Sequence, residues 1–183
     1  MHQVRPVRLS LLCSIVLSGI VTTSALADPV GLSFEPASIE VGCDAARPID
    51  VWIDETGTNL RGASLVMRFD PHVIRPVAVE EGQLFLDDPC PSFLRWNNSA
   101  AVGDSIFVDV AGLGCSVAGP GPIVRIWVTG VADGSTLLWG TRVSLRDGAN
   151  APIPALWTPA HIIVACPVGT LSRSWATLKA NYQ

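Results

Sequence analysis

Short runs in which apolar and polar residues alternate fill the chain from about residue 30 to about residue 165. Ala63-Ser64-Leu65-Val66-Met67-Arg68-Phe69, Ser105-Ile106-Phe107-Val108-Asp109-Val110 and Ile123-Val124-Arg125-Ile126-Trp127-Val128 are the clearest. Segments near Leu32–Val41, at Val51–Ile53, Val73–Val79, Phe93–Trp96, Thr136–Trp139, Arg142–Leu145 and His161–Val164 follow the same rule. Residues two apart lie on one side of an extended chain, so such runs predict half-buried strands. Their Val, Ile, Thr and aromatic content agrees. Turn chemistry separates them: Thr56-Gly57-Thr58-Asn59, Asp70-Pro71, Glu81-Gly82, Gly119-Pro120-Gly121-Pro122, Ala132-Asp133-Gly134 and Asp147-Gly148. About nine strands and no long helical period before residue 170 predict an all-β sandwich.

Alternation also assigns faces. Leu65, Met67 and Phe69 point inward, so Val66 and Arg68 point outward. Ile106, Val108 and Val110 point inward, leaving Phe107 and Asp109 outside. Val143 and Leu145 point inward, leaving Arg142 and Ser144 outside. An outer face carrying Val66, Arg68, Phe107, Asp109 and Arg142 mixes apolar, charged and aromatic groups, as protein interfaces do. The plainer reading is a solvated sheet face, and a one-residue slip would exchange the two sides. Trp96 alternates with Arg95 and Asn97, so one of these two faces is wet and Trp96 is a candidate binding residue. Trp52, Trp127 and Trp139 sit in apolar strands, where core is the expected place for most of them. Trp157 follows Pro152-Ile153-Pro154 in a segment read as a loop. Indoles stack on sugar rings, so an exposed pair would suit a polysaccharide ligand.

The first 27 residues read as a secretory signal peptide. Arg5 and Arg8 precede the apolar run Leu9–Val21, and Ala25-Leu26-Ala27 forms a cleavage site. The run is too short to span a bilayer comfortably, and no other segment could. Cleavage after Ala27 leaves 156 residues, with ten basic against sixteen acidic side chains, or −6. The domain organisation is then signal peptide 1–27, sandwich 28–168 and a tail 169–183. In the tail Trp175, Leu178 and Tyr182 fall on one face of a short helix. The acidic balance argues against nucleic acid as a partner. Hydrophobic residues make up 49% of the sequence and charged residues 15%, which excludes a disordered chain.

Cleavage also removes Cys13 and leaves Cys43, Cys90, Cys115 and Cys166. An even number in an exported chain predicts disulfides. The flanks of the turn near Ala101-Val102-Gly103 form a hairpin whose opposed residue numbers sum to about 205. Cys90 and Cys115 also sum to 205 and should face each other at its open end. Cys43 and Cys166 remain, each just beyond the first or the last strand. They meet if those strands lie parallel and adjacent. Zinc is the alternative, but such sites usually show cysteines in close pairs, and none of these is close.

Catalytic sets are sparse. His72 follows Asp70-Pro71 in a turn, His161 opens an apolar strand, and no Gly-x-Ser-x-Gly elbow occurs. Glu80-Glu81 and Asp87-Asp88 are adjacent pairs in turns, not two carboxyls facing across a cleft. Asp54-Glu55 with Asn59 is a possible Ca²⁺ loop, but a polar hairpin turn accounts for it better. No cofactor is expected.

Gly62–Pro71, which ends in Phe69-Asp70-Pro71, resembles the cohesin family. So does Val79-Glu80-Glu81-Gly82-Gln83-Leu84, with its Val-x-x-Gly-x-Leu spacing. Gly121–Val128 and Val143–Gly148 continue the likeness, which covers roughly residues 30 to 165. The resemblance implies a nine-stranded jelly-roll sandwich with first and last strands adjacent and parallel, which is what the Cys43–Cys166 pair needs. It implies a non-catalytic binding module, secreted to the extracellular space, with a dockerin-like protein or a polysaccharide as partner in polysaccharide breakdown. A structural or adhesive surface subunit is the other reading. The family's binding surface is the outer face of the sheet made by its third, fifth, sixth and eighth strands. Where that family has polar or acidic contacts, this sequence has Ser64, Val66 and Arg68.

Overall fold

A computed structural model describes residues 28–98 and 103–166. The signal-peptide segment, the centre of the hairpin turn and the proposed tail helix lie outside these residues.

The described chain forms twelve strands and one short helix. They are β1 (Val30–Glu35), β2 (Ser38–Val41), β3 (Arg47–Ile53), β4 (Leu60–Arg68), β5 (Ile74–Glu81), α1 (Gln83–Leu86), β6 (Ser92–Asn98), β7 (Ser105–Gly112), β8 (Gly121–Gly130), β9 (Gly134–Asp147), β10 (Pro152–Ile153), β11 (Ala155–Trp157) and β12 (Ala160–Val164). Two sheets pack face to face. One runs β11-β1-β3-β8-β5 and the other β2-β12-β9-β4-β7-β6, with β10 paired to β9. The all-β jelly-roll sandwich is therefore the fold, and the count of nine needs refinement rather than replacement. The first strand breaks after Glu35 and switches sheets, giving β1 and β2. The Thr136–Trp139 and Arg142–Leu145 runs fuse into the single β9. The Pro152–Trp157 segment, read as loop, supplies two short strands, of which β11 pairs parallel with β1.

One apolar core lies between the sheets. Leu65, Met67, Ile106, Val108, Val110 and Leu145 meet Ile49, Val51, Ile53, Ile123, Ile126 and Val128 there, all essentially without solvent contact. Burying such side chains stabilises the fold by about 1.5–3 kcal/mol each. Two sequence motifs gain physical reasons. Asp70 makes the turn after β4: its carbonyl accepts from the amides of Val73 and Ile74, and its Oδ1 accepts from His72 N at 2.9 Å. Gly82 leads from β5 into α1 and donates its N–H to Ile123 O at 3.0 Å. Any Cβ there would collide with the backbone of Pro122 and Ile123, so the close approach of β8 demands glycine.

Both cysteine pairs join. Cys43 bonds Cys166 with Cα atoms 4.9 Å apart, and Cys90 bonds Cys115 with Cα atoms 5.9 Å apart. The first and last strands run parallel through β2 and β12, with Val164 opposite Val41, which brings Cys43 and Cys166, each two residues further on, together. The β6–β7 hairpin is registered one residue from the expected sum, with Ser92 opposite Gly112 and Trp96 opposite Val108. Cys115 still reaches Cys90 because the chain leaves β7 at Gly112 and turns through Gly114 at a φ of 107°. Among the described residues no helix is long and apolar enough to cross a membrane.

Candidate functional site

The outer face of β9-β4-β7-β6 is built by cross-strand rows. Arg142, Val66, Phe107 and Asn97 stand side by side in the first. Ser144, Ser64, Asp109 and Arg95 form the next, and Arg146, Gly62, Ala111 and Phe93 the third. Beyond the first row, Arg68 lies opposite Trp139 on one side and Ser105 on the other. Five of the six candidate binding residues, Val66, Arg68, Phe107, Asp109 and Arg142, therefore share one surface. Trp96 does not: it lies opposite the buried Val108 and packs half-buried against the core, so the wet side of β6 is the one carrying Arg95 and Asn97.

Local bonds position these groups. The Ser64 hydroxyl donates to Asp109 Oδ1 at 2.5 Å, tying β4 to β7 across the middle row. Arg68 pairs with Asp104 at 3.5 Å, an exposed contact of small energetic worth. A bulge in β9 falls between the partners of Val66 and Met67 and leaves Thr141 over. The Thr141 hydroxyl donates to Val66 O at 3.2 Å, and the bulge keeps both Thr141 and Arg142 exposed. Phe107 is 40% exposed and Phe93 48% exposed, high values for aromatic rings on a sheet. Two shallow depressions indent the face. One, of about 360 Å³, is lined by Val66, Arg68, Ser105, Phe107, Thr141 and Arg142. The other, of about 480 Å³, lies over Gly62 and Ala111 beside Leu113 and Arg146. Sequence reasoning missed Phe93, Arg95 and Arg146; resolving the parity of β6 and extending the alternation of β9 by one step would have found them.

The tryptophans depart from the core expectation. Trp52 and Trp127 are half-buried on the outer side of the first sheet, where alternation with Val51, Ile53, Ile126 and Val128 puts them. Trp139 is 38% exposed. Trp157 stacks on Phe34 with ring centroids 5.2 Å apart, and its indole covers Gly140, where no side chain could fit. Trp139 and Trp157 line a third depression of about 430 Å³ with Leu137 and Pro159, at the edge of the sandwich.

Glu80 and Glu81 close strand β5 rather than lying in a turn, and Glu81, Asp87 and Asp88 each accept a local hydrogen bond. Glu81 Oε2 accepts from the Ser92 hydroxyl at 2.6 Å, Asp87 Oδ1 from Gln83 Nε2 at 2.5 Å, and Asp88 Oδ1 from Cys90 N at 2.8 Å. Asp54 Oδ1 accepts from both Thr56 N and its hydroxyl, and Oδ2 accepts from Gly31 N at 3.0 Å. The hydrogen bond from the Thr56 side chain is the chief cause that holds the Asp54 carboxyl below its usual range. These bonds occupy three of the roughly four acceptor sites of the carboxylate. Among the described residues, the acid–histidine–cysteine grouping compact enough for a metal is Asp88 with Cys90 and Cys115, whose sulfurs are already joined.

The molecule thus belongs to the class of jelly-roll sandwiches, with a mixed apolar and charged outer sheet. Within that class its fold is shared with cohesin modules. The non-cellulosomal cohesin of Archaeoglobus fulgidus matches with a TM-score of 0.62 at 14% identity, over 75% of this chain and 91% of that one. A type I cohesin solved in complex with a dockerin, from Clostridium thermocellum, matches with a TM-score of 0.59 at 13% identity, over 79% and 99%. The cohesin module of a family 33 glycoside hydrolase from Clostridium perfringens matches with a TM-score of 0.60 at 10% identity, over 76% and 97%. No family profile and no curated protein sequence matches the chain.

Proposed function

We propose that this chain is an exported, non-catalytic binding module that docks a dockerin-like protein partner on the outer face of β9-β4-β7-β6. The observation that carries the reading is the gathering of Val66, Phe107 and Phe93 with Arg68, Arg95 and Arg142 on one solvent-facing sheet. Arginine is among the side chains most often found as binding hot spots, and phenylalanine is enriched at protein interfaces. Support for a protein partner comes from cohesins of the same fold whose structures contain dockerins. Support for export comes from the signal-peptide pattern and the two disulfides. The setting that fits best is polysaccharide breakdown outside the cell.

The test is affinity capture from the native secretome with residues 28–183, beside Phe107→Ala and Arg68→Ala. A partner held by the wild type and lost from Phe107→Ala supports the reading. A partner that both variants hold as tightly as the wild type refutes it.

One observation favours a second reading, polysaccharide binding: Trp139 and Trp157 line one edge depression. Binding to a polysaccharide array, with and without calcium, that Trp139→Ala abolishes would establish it in place of the first.

A further inference from the structure

The proposed docking face differs in charge from the rest of the chain. Four guanidinium groups, Arg68, Arg95, Arg142 and Arg146, stand on or beside it against two carboxylates, Asp109 and Asp104, leaving +2. The whole chain has a formal charge of −4. Arg68 is paired with Asp104, just outside the rows. Among the described residues no carboxylate comes within 4.0 Å of Arg95, Arg142 or Arg146, and all three are exposed. A sheet face evolved only for solubility in an acidic protein has no need of such a cluster, whereas a docking face gains steering and register from it.

The geometry sets what fits. Arg142 and Arg146 are four residues apart on β9, roughly 13 Å along the strand, and Arg95 stands three strands away, roughly 14 Å across. Between them the floor is low, because Gly62 and Ala111 lie opposite each other. The 480 Å³ depression lies there, beside Arg146, and the 360 Å³ depression lies between Phe107 and Arg142. Each depression has an apolar or small-residue floor and a guanidinium at its rim. That pattern receives an apolar side chain flanked by a carboxylate.

Resting on the reading of this sheet as the docking face, we infer that its partner is a protein surface on which Asp or Glu side chains flank apolar ones, held at their carboxylates by Arg142, Arg146 and Arg95. A uronic-acid polysaccharide shares the carboxylate but offers no apolar side chain for the depressions. The exposed Phe93 and Phe107 therefore favour protein.

The experiment uses the mature protein, residues 28–183, and defined probes. Three helical peptides carry the same Leu anchors with Glu, Gln or Lys at the flanking positions, and polygalacturonate is the fourth probe. Affinity is read by fluorescence anisotropy for the peptides and by calorimetry for the polysaccharide, in low and in 300 mM salt. Amide shifts in NMR locate each probe. The expected result is that the Glu peptide binds at least about tenfold more tightly than the Lys peptide and weakens several-fold in high salt, as exposed charge contacts do. Its shifts should fall on β4, β7 and β9, and the double variant Arg142→Glu/Arg146→Glu should reverse the preference. Equal binding of the Gln and Glu peptides on this face would overturn the acidic partner and leave the docking face standing. A Glu peptide that maps elsewhere would overturn both. Tighter binding of polygalacturonate than of the Glu peptide, or no binding by any probe, also overturns the inference. A reversed preference in the double variant cannot come from misfolding, because an unfolded variant would lose both peptides.

Discussion

Removing the two disulfides separately should separate their energies by loop length. Cys43 and Cys166 are 123 residues apart in sequence, and Cys90 and Cys115 only 25. A crosslink stabilises mainly by denying the unfolded chain the freedom of an open loop. The loop-entropy relation gives about 4.9 kcal/mol for the long loop and about 3.5 kcal/mol for the short one. All four cysteines are half-buried, so the packing lost on truncation to Ala is similar in the two pairs and largely cancels in the comparison. The Cys43→Ala/Cys166→Ala variant should therefore be less stable than Cys90→Ala/Cys115→Ala by about 1.4 kcal/mol, a tenfold difference in unfolding equilibrium. At about 3 °C per kcal/mol for a chain of this size, Tm should fall by about 15 °C in the first variant and about 10 °C in the second. Urea unfolding of protein made under oxidising conditions reads both numbers. The long-loop variant should also show the larger increase in m, because its unfolded state expands most. Equal losses, or a greater loss on removing Cys90–Cys115, would refute the entropic account. Losses below about 1 kcal/mol in both would show that neither bond constrains the unfolded chain.

Other perturbations test the packing and the turns. Met67→Ala, at a site with no solvent contact, should cost about 2–5 kcal/mol in urea unfolding. Gly140→Ala should push the Trp157 indole off the sheet, lowering stability by about 1–3 kcal/mol and shifting tryptophan fluorescence, a change that a remote Gly103→Ala would not produce. Asp54 is held below its usual pKa, so its bonds to Thr56 and Gly31 contribute stability above the unfolded value and lose it as pH falls through the folded one. Asp54→Asn should therefore be clearly less stable at pH 7, and the gap to wild type should close below about pH 4 in a series of unfolding curves. Arg125→Met removes the two-bond contact to Asp50, at 2.7 and 2.9 Å, which joins β3 to β8. It should destabilise by about 1 kcal/mol, because the pair is partly exposed.

The faces of β4 and β7 were legible because a period of two admits no compromise: fixing Leu65 and Met67 inside fixes Val66 and Arg68 outside. The tryptophans were misplaced by weighting residue type above position. Trp52 sits between Val51 and Ile53, and three consecutive residues of a strand cannot all face the core. The break of the first strand, the bulge at Thr141 and the short strands β10 and β11 left no periodic trace, because each depends on what lies beside it. β11 contains one complete alternation and is flanked by Pro154 and Pro159, so the sequence pattern alone is that of a loop. The charge asymmetry of the proposed docking face was hidden for a related reason. Arg95 lies far from Arg142 and Arg146 in sequence, and only the pairing order β9-β4-β7-β6 puts it on one surface with them.

That pairing order also explains why the face can be both charged and firm. β4 lies between β9 and β7, so its outer side chains stand on a backbone bonded from both sides. β6 is an edge strand, and the Cys90–Cys115 bond and the Glu81–Ser92 contact hold its entry end. Arg95 stands on that strand three residues beyond Ser92. The short-loop disulfide therefore has a second consequence beyond stability. Once it is removed, β6 should fray first and take Arg95 and Phe93 with it, while Arg142, Val66 and Phe107 stay in place. Under conditions where Cys90→Ala/Cys115→Ala is still fully folded, amide exchange should rise in β6 and remain slow in β4. Binding of the Glu peptide to the proposed docking face should weaken in parallel. Unchanged exchange in β6, or an equal rise in β4, would mean that pairing with β7 alone holds the edge.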